Sequence, residues 1–495
     1  MRVLSTLEKS KSFWFLLFTA FLFFLLRFPS MFEPYWYGDE GIYQVLGLGM
    51  DNGRVLYRDI FDNKPPFLYI LYGIFDSDQF LLRLSSLVFG IFSVVLFFKL
   101  AQKLLNNIKA VYFSTFFFAV IFGLPIIEGN IANAENFMLL FNILAGIFIL
   151  KTTENENTAK KTKLLLWSGI ILSVSFLFKI VGIFDFAAFF VFLFFIGFSK
   201  KFEDLYNPKA VIAGIKKLIP LITAFLIPII LVALYFLIND SFSYFLKASF
   251  SNNIGYVGYG NKFIIPQGLL IFKLLLLSAG LLFVFWKKEA LGKERVFIYI
   301  WFFFSLFNAF FSQRPYTHYV LVVLPSFCLF LGLLLQKSKL LKLDLLIFIV
   351  SSFFLLTQFS YYIKTAFYYQ NFVQFIAGKK SVYDYQRFFD GNTPNDYEIA
   401  GYINSKLGKN DNLFIWGNNA QVYKLTNKLP PGRYTVAYHI TNYENGYQNT
   451  ENGLKEKNPK IIVVMPNVSA YPFSLMGYFH KININGISIY EKLSN

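Results

Sequence analysis

In the first 100 residues, the best candidates for a chemical role are two adjacent carboxylates and one lysine. Asp39 and Glu40 lie in the segment GDEGIY, and Lys64 directly precedes two prolines. A carboxylate is the usual base for an attacking hydroxyl in glycosyl chemistry. A fixed cation stabilises the charge that develops on a leaving phosphate. Together these groups suit transfer of a sugar from a lipid-linked phosphate to a hydroxyl.

Other polar residues near the edges of apolar runs could complete such a site. Arg58 and Arg314 could add positive charge at the phosphate. The remaining candidates are polar or aromatic groups beside or within predicted spans, namely Glu135, Lys179, His318 and Tyr319. Taken singly, most of them are explained equally well as helix caps or interfacial side chains. Lys179 differs because an ionisable group inside an apolar run is costly, and such groups are usually functional or paired. Asp185 is its nearest acidic neighbour in sequence, which predicts an ion pair or a substrate contact.

The composition places these residues in a membrane protein. Apolar residues make up 56% of the 495 residues, above the roughly 45–50% of soluble domains. A spanning helix needs about 20 apolar residues, and the sequence predicts eleven such runs. They lie near residues 12–29, 80–98, 109–124, 136–150, 164–181, 183–199, 218–238, 267–286, 296–312, 319–336 and 342–360.

The charge of the connecting loops predicts the orientation. The 46 Lys and Arg residues outnumber the 29 Asp and Glu residues, and most of the excess falls in alternate short loops. This pattern indicates a bilayer, and not nucleic acid, as the partner of the positive charge. With the N-terminus as an uncleaved cytoplasmic anchor, the basic intervals are cytoplasmic and the residues after 361 are extracytoplasmic. The basic intervals are 1–11, 99–108, 151–163, 200–217, 287–295 and 337–341.

The chain is predicted to have a membrane part and a small external domain. Residues 1–360 form the transmembrane catalytic domain, whose first external loop, 30–79, carries two interfacial helices. A connector, 361–378, leads to an α/β domain at 379–495. In that domain NDYEIAGYINSKL and NAQVYKLTNKL predict helices, LFIWG, YTVAYHI and KIIVVMP predict strands, and Asn485-Gly486 predicts a hairpin turn.

The order of these features resembles glycosyltransferase family 39, also called the PMT-2 group. The resemblance rests on an N-terminal span, GDEGIY, the segment YRDIFDNKPP that ends at Pro66, and a second span containing Arg83. It extends to Glu135 after the third span and to Arg314 with His318-Tyr319 before the tenth. Members resemble protein mannosyltransferases and the aminoarabinose transferase of lipid A.

The resemblance implies a GT-C fold and inverting transfer of one sugar from a polyprenyl-phosphate donor, outside a bacterial-type cytoplasmic membrane. It implies that Asp39 is the base or acceptor-binding group, supported by Glu40, and that Lys64 lies near the lipid phosphate. Arg314 and His318 would be further phosphate or sugar contacts. The chain lacks the large inserted lumenal domain of eukaryotic protein mannosyltransferases. It also lacks an obvious match to the lipid A enzyme beyond the first loop. The hydroxyl acceptor, on a lipid, glycan or protein, therefore stays open.

Cofactors and rival functions also stay open. Asp39, Glu40, Glu135 and His318 could gather a divalent cation, although their spacing forms no ligand motif. A flippase or transporter for lipid-linked sugars predicts two matching halves, which the sequence does not show. A GT-C ligase or polymerase of whole glycans would carry its key residues in a large late loop. A non-enzymatic scaffold would leave the intramembrane charges unexplained.

Overall fold

The chain is a multi-pass helical membrane protein with a small C-terminal sheet. Its structure is a computed structural model that describes residues 2–197, 207–466 and 468–493. Within these ranges, eight helices are long and apolar enough to cross a membrane. They are Ser10–Phe32, Gln79–Leu104, Ala134–Glu154, Thr158–Phe178, Ile180–Gly197, Ile219–Ile238, Gly268–Phe310 and Leu341–Gln358. Part of the predicted basic loop at 200–217 lies outside the described residues.

The other predicted spans have different counterparts. The 43-residue helix Gly268–Phe310 covers two predicted spans and is interrupted at Gly292, whose φ of 73° is non-helical. Glycine adopts this left-handed backbone without the steric penalty of a Cβ atom. The runs predicted at 109–124 and 319–336 correspond to shorter apolar helices, Ile108–Gly123 and Leu324–Leu334.

The helices are numbered in chain order. Their bounds are α1 Arg2–Arg27, α2 Gly38–Asp51, α3 Phe67–Ile74, α4 Gln79–Leu104, α5 Ile108–Gly123, α6 Ala134–Glu154, α7 Thr158–Phe178, α8 Ile183–Gly197, α9 Pro208–Lys216, α10 Ile219–Ile238, α11 Phe242–Leu246, α12 Asn252–Gly260, α13 Gly268–Phe310, α14 His318–Leu321, α15 Leu324–Leu334, α16 Leu341–Gln358, α17 Thr365–Ile376, α18 Val382–Phe389, α19 Thr393–Lys406, α20 Gln421–Leu425, α21 Ala437–Asn442 and α22 Gly446–Lys457. The strands are β1 Leu413–Trp416, β2 Ile461–Val464, β3 Tyr478–Ile484 and β4 Ile487–Lys492.

The chain divides into two compact units. The first comprises Met1–Phe28, Ser85–Ala233 and Asn252–Thr365. Inside it, α6 packs against α7, α8 against α13, and α5 against both α1 and α15. Aromatic rings fill the contacts, as between Phe97 and Phe118, whose centroids are 4.4 Å apart. Gly169 lets α7 approach α10 closely, because a Cβ there would lie 2.4 Å from the Leu221 carbonyl oxygen.

The second unit comprises Pro29–Leu84, Leu234–Ser251 and Ala366–Asn495. It contains the two loop helices predicted from the sequence, α2 and α3, which pack together. The α20 segment of the C-terminal part packs on α2. The contact is close, since a Cβ on Gly41 would lie 2.8 Å from the Gln421 backbone nitrogen. The first loop and the C-terminal sheet region therefore belong to one folded body.

A four-stranded mixed sheet in the order β1-β2-β4-β3 organises the C-terminal part. β1 is parallel to β2, and both are apolar and largely buried, as expected for strands covered on two faces. The predicted hairpin is present, with Asn485 and Gly486 at φ values of 52° and 87°. The prediction of a strand at YTVAYHI is wrong, because Ala437 begins the short helix α21 there. Tertiary packing of this segment has overridden its local β preference.

Candidate active site

Asp39 lies in the first turn of α2 and is the more accessible of the two adjacent carboxylates. Its side chain is 40% exposed, and the Tyr43 hydroxyl one turn later donates a hydrogen bond of 2.9 Å to its Oδ2. Carboxylates are favoured at a helix N-terminus by the backbone dipole. Asp39 is thus a partly exposed carboxylate that is held in place by Tyr43.

Lys64 is brought next to Asp39 by the loop before α3. Its Nζ lies 3.6 Å from Asp39 Oδ2 and 3.7 Å from Asp62 Oδ2, and 4.7 Å from the centre of the Tyr43 ring. Tyr69 donates a 2.7 Å hydrogen bond to Asp62. The structure thus joins the two residues that the sequence singled out, although 25 positions separate them.

The backbone around Lys64 is fixed by tyrosines. The Tyr57 hydroxyl donates to the Lys64 carbonyl oxygen at 2.6 Å, and the Lys64 amide donates to the Tyr69 hydroxyl at 3.0 Å. Burial raises the pKa of both phenols well above the usual value near 10, so both stay protonated and available as donors. The hydrogen bonds of Tyr57 and Tyr69 therefore hold the backbone of the loop at Lys64 in a fixed conformation.

Glu40 points the opposite way from its neighbour and is buried. Arg83 Nε donates to Glu40 Oε1 at 2.7 Å, and a second guanidinium nitrogen contacts the other oxygen. Arg83 also pairs with Glu33 at 3.1 Å, and Glu33 accepts hydrogen bonds from Trp36 and Tyr368. Breaking a buried pair of this kind is strongly destabilising. Glu40 thus anchors α2, while Asp39 faces outward.

Arg58 is engaged away from Lys64. Its guanidinium forms two hydrogen bonds with Asp59, of 2.8 Å and 3.0 Å, and a third of 3.1 Å to the Asn239 carbonyl oxygen. Asp59 in turn accepts from the Val55 amide. In this arrangement Arg58 supports the loop fold, and its predicted part in phosphate binding stays a prediction.

A second polar cluster lies in the other unit and unites four predicted residues. Glu135, in the first turn of α6, pairs with Lys179, and its Oε1 lies 3.9 Å from His318 Nε2. The Lys179 ammonium lies 4.5 Å from the Tyr319 ring centre. The structure therefore assembles Glu135, Lys179, His318 and Tyr319 from three distant parts of the sequence.

The expected pairing of Lys179 with Asp185 is wrong. Lys179 ends α7 in an extended conformation, with φ of −156°, and is directed to Glu135. Asp185 instead accepts hydrogen bonds from Trp301 at 2.7 Å and Asn142 at 2.9 Å. Sequence proximity misled the prediction because a short 3₁₀ turn, Ile180–Gly182, separates the two side chains.

Arg314 is half-buried in the loop four residues before His318.

Three further residues join the clusters without having been selected from the sequence. Glu128 accepts from Thr317 at 2.8 Å and lies 3.0 Å from His318 Nδ1. Asp62 joins Lys64, as described above. His439, from α21, has its Nε2 3.8 Å from Asp62 Oδ1. Asp62 lies two residues before the Lys-Pro motif, and this position could have identified it as a site candidate from the sequence. No feature of the sequence pointed to His439, because 377 positions separate it from Asp62.

The His439 imidazole is fully packed. Its ring makes edge contacts with Phe61 and Tyr438, and its side chain is 1% exposed. Burial lowers the pKa of His439 to about 4, although the nearby Asp62 carboxylate acts in the opposite direction. The imidazole is therefore neutral at pH 7.

The carboxylates and histidines do not assemble into a metal centre within the described ranges. There, no group of three or more His, Cys, Asp or Glu side chains is arranged to hold an ion. The predicted candidates Asp39, Glu135 and His318 are instead engaged by a lysine, a tyrosine or one another, as above. Their donor sets do not fit a divalent cation.

Comparison with known proteins gives a family match over part of the chain and a fold for nearly all of it. Residues 45–242 match the model of the dolichyl-phosphate-mannose-protein mannosyltransferase family. No curated protein sequence matches the chain. Among solved structures, ArnT from Cupriavidus metallidurans bound to undecaprenyl phosphate is similar, with a TM-score of 0.58 and 14% identity over 97% of this chain and 98% of that chain.

Two further structures are similar at comparable identity. ArnT from the same organism in the apo state has a TM-score of 0.53 at 14% identity, again covering 97% of this chain and 98% of that chain. The archaeal oligosaccharyltransferase AglB from Archaeoglobus fulgidus, in complex with an inhibitory peptide and a dolichol-phosphate, has a TM-score of 0.49. Its identity is 12%, over 92% of this chain and 69% of that chain. The predicted resemblance to family 39 is confirmed over residues 45–242, and the similarity to the two ArnT structures along almost the whole chain shows the GT-C fold.

Proposed function

We propose that the chain transfers a single sugar from a polyprenyl-phosphate donor to a hydroxyl acceptor, with inversion at the anomeric carbon. The observation that carries this proposal is the placement of Lys64 Nζ 3.6 Å from a half-exposed Asp39 carboxylate. The contact places a base and a cation in one site, and the Lys64 ammonium has to turn away from Asp39 toward the donor phosphate for the two groups to serve opposite ends of the displacement. The undecaprenyl phosphate in the ArnT structure supports a lipid phosphate as the carrier.

Each residue has a defined part in the displacement. The acceptor oxygen forms a bond to the anomeric carbon while the bond from that carbon to the phosphate oxygen breaks. Asp39 receives the hydroxyl proton. The electron pair leaves on the phosphate oxygen, whose growing charge is stabilised by Lys64. Glu40, locked by Arg83, positions the turn that presents Asp39.

The second cluster has a separate part in this proposal. In the first unit, the second cluster is a preorganised set of charged and aromatic groups, namely Glu135, Lys179, His318 and Tyr319. Ionisable groups at such positions are costly and are commonly functional. With Arg314 they supply further phosphate or sugar contacts.

The proposed topology follows the loop charges. The full count is eleven spans, if α13 contributes two and the apolar helices α5 and α15 one each. The N-terminus is then cytoplasmic, in a bacterial-type inner membrane. The first loop and the C-terminal sheet region are extracytoplasmic, where a lipid-linked sugar meets its acceptor.

Transfer is tested directly with purified protein in liposomes. The probes are radiolabelled hexoses and pentoses, each carried on undecaprenyl phosphate, with envelope lipids, polysaccharide and protein offered as acceptors. We expect free undecaprenyl phosphate to appear in step with label on one acceptor class. Label that crosses the bilayer while still lipid-linked would instead identify a transporter. Movement only of a preassembled glycan would identify a ligase.

A further inference from the structure

A pocket of about 670 Å³ lies between α6 and α7, and none of its lining residues belongs to either polar cluster. Its walls come from the last turns of α6 and the first turns of α7, which are joined by only three residues, Asn155 to Asn157. The volume is within the range typical of small-molecule sites. Nothing in the transfer chemistry uses it.

The lining of the pocket is divided between charge and apolar surface. Lys151, Lys160 and Lys163 line it near the connection, whereas Phe148 and Trp167 line it further along the helices. Trp167 is 49% exposed. Cations at the end of a helix pair, with apolar and indole surface below them, match a phospholipid headgroup above its acyl chains.

Three lysines give one end of this mainly apolar pocket a positive charge. Across the ranges that the structure describes, no carboxylate lies within 4.0 Å of the three ammonium groups. Glu154, the nearest acid in α6, pairs with Lys103 at 2.8 Å. Three lysines without an acidic counterpart favour a ligand of negative charge, and basic pockets between helices on the cytoplasmic side bind anionic headgroups.

We propose that this pocket binds an anionic phospholipid, with its phosphate among Lys151, Lys160 and Lys163 and an acyl chain along Trp167. The loop charges predict this end of the helix pair to be cytoplasmic. The lipid would occupy the cytoplasmic leaflet and would hold α6 against α7 at that end of the helix pair.

Brominated lipids test the site through Trp167. The protein is placed in phosphatidylcholine bilayers containing either brominated phosphatidylglycerol or, at the same fraction, brominated phosphatidylcholine. Subtracting the signal of Trp167→Phe isolates this indole from the other five tryptophans. We expect the anionic lipid to quench Trp167 at about tenfold lower fraction, and the Lys160→Gln/Lys163→Gln double variant to lose most of this preference.

Lys161→Gln is the matched control, because Lys161 belongs to the same turn but does not line the pocket. Its quenching should equal that of the wild type. Equal quenching by the two lipids in the wild type would overturn the proposal. An equal loss in Lys161→Gln would also overturn it, since diffuse surface charge would then explain the effect.

A different set of contacts carries a second inference, which rests on the proposed function. Asp62 is buried, accepts from Tyr69, and lies 3.7 Å from Lys64 Nζ and 3.8 Å from His439 Nε2. The segment that holds His439 is tied to the loop, because the Phe61 amide donates a hydrogen bond of 3.1 Å to the Arg433 carbonyl oxygen. The sheet region thus forms one wall of the Asp62–Lys64 loop.

We infer that His439 is a positioning residue for donor binding. When the Lys64 ammonium turns to the donor phosphate, the buried Asp62 carboxylate loses part of its counter-charge. A neutral imidazole with its proton on Nε2 can then donate to Asp62 and leave Lys64 available. The C-terminal part of the chain would in this way take part in donor affinity.

Donor kinetics of two variants test this role. We expect His439→Leu to raise the donor KM about tenfold with little change in acceptor KM, because a hydrogen bond to a charged group is lost. His439→Gln keeps a donor and should recover most of the affinity. In a Lys64→Met background, the effect of His439→Leu should vanish.

The outcomes separate this inference from the proposed function. A wild-type protein that transfers no sugar would remove the proposed function itself. An active wild type whose His439→Leu variant keeps the donor KM would overturn only the role of His439. An undiminished effect in the Lys64→Met background would also overturn it, since it would show a purely structural contribution.

Discussion

Asp39→Asn should remove nearly all sugar transfer while the protein stays folded. The amide keeps the size of the carboxylate and can still accept from Tyr43, but it cannot receive the acceptor proton. General-base catalysis contributes about 10²–10⁴-fold, and we expect a loss of kcat in that range. Donor consumption in liposomes measures this loss, and thermal unfolding in detergent monitors the fold.

Asp51→Asn is the matched control for this variant. Asp51 is the last residue of the same helix and is exposed, so the same chemical change there should leave kcat unaltered. Near-normal turnover in Asp39→Asn would exclude the assignment of Asp39 as the base. A large loss of kcat in both variants would show that activity depends on the integrity of helix α2 and not on the Asp39 carboxylate.

Lys64→Met should lower the donor kcat/KM by about 10²-fold or more. Removing one preorganised stabilising group for developing charge typically costs about 10²–10³-fold. Without the ammonium, the Asp39 and Asp62 carboxylates also lose the cation that each now contacts. The donor KM should rise more than the acceptor KM, and both are obtained from initial rates at varied concentrations.

A variant that restores the positive charge separates a specific need for lysine at the phosphate from the loss of the cation beside Asp39 and Asp62. Lys64→Arg returns a cation near both carboxylates and should recover part of the activity. Lys262→Met changes an exposed lysine between the predicted spans 218–238 and 267–286 and should have no effect. An unaltered donor KM in Lys64→Met would contradict the role of Lys64 at the phosphate.

Much of the membrane architecture was predictable, because apolar run length and loop charge are local properties of the sequence. The loop helices α2 and α3 follow from apolar spacing and from the turn signals at Asn52-Gly53 and Pro65-Pro66. The hairpin at Asn485-Gly486 follows from the positive φ values that these residues tolerate. The strand predicted at YTVAYHI failed because packing of that segment outweighed its local preference.

Residue type and position in the chain were enough to propose Asp39 and Lys64 in the first loop, and Lys179 inside an apolar run, as site candidates. Their partners could not be predicted and became visible only in the folded chain. The tertiary structure paired Lys179 with Glu135 and not with Asp185, turned Glu40 into a buried anchor for Arg83, and brought His439 to Asp62. The physical reason is that ion pairs and close contacts depend on separation in space, which distant segments acquire only when helices pack.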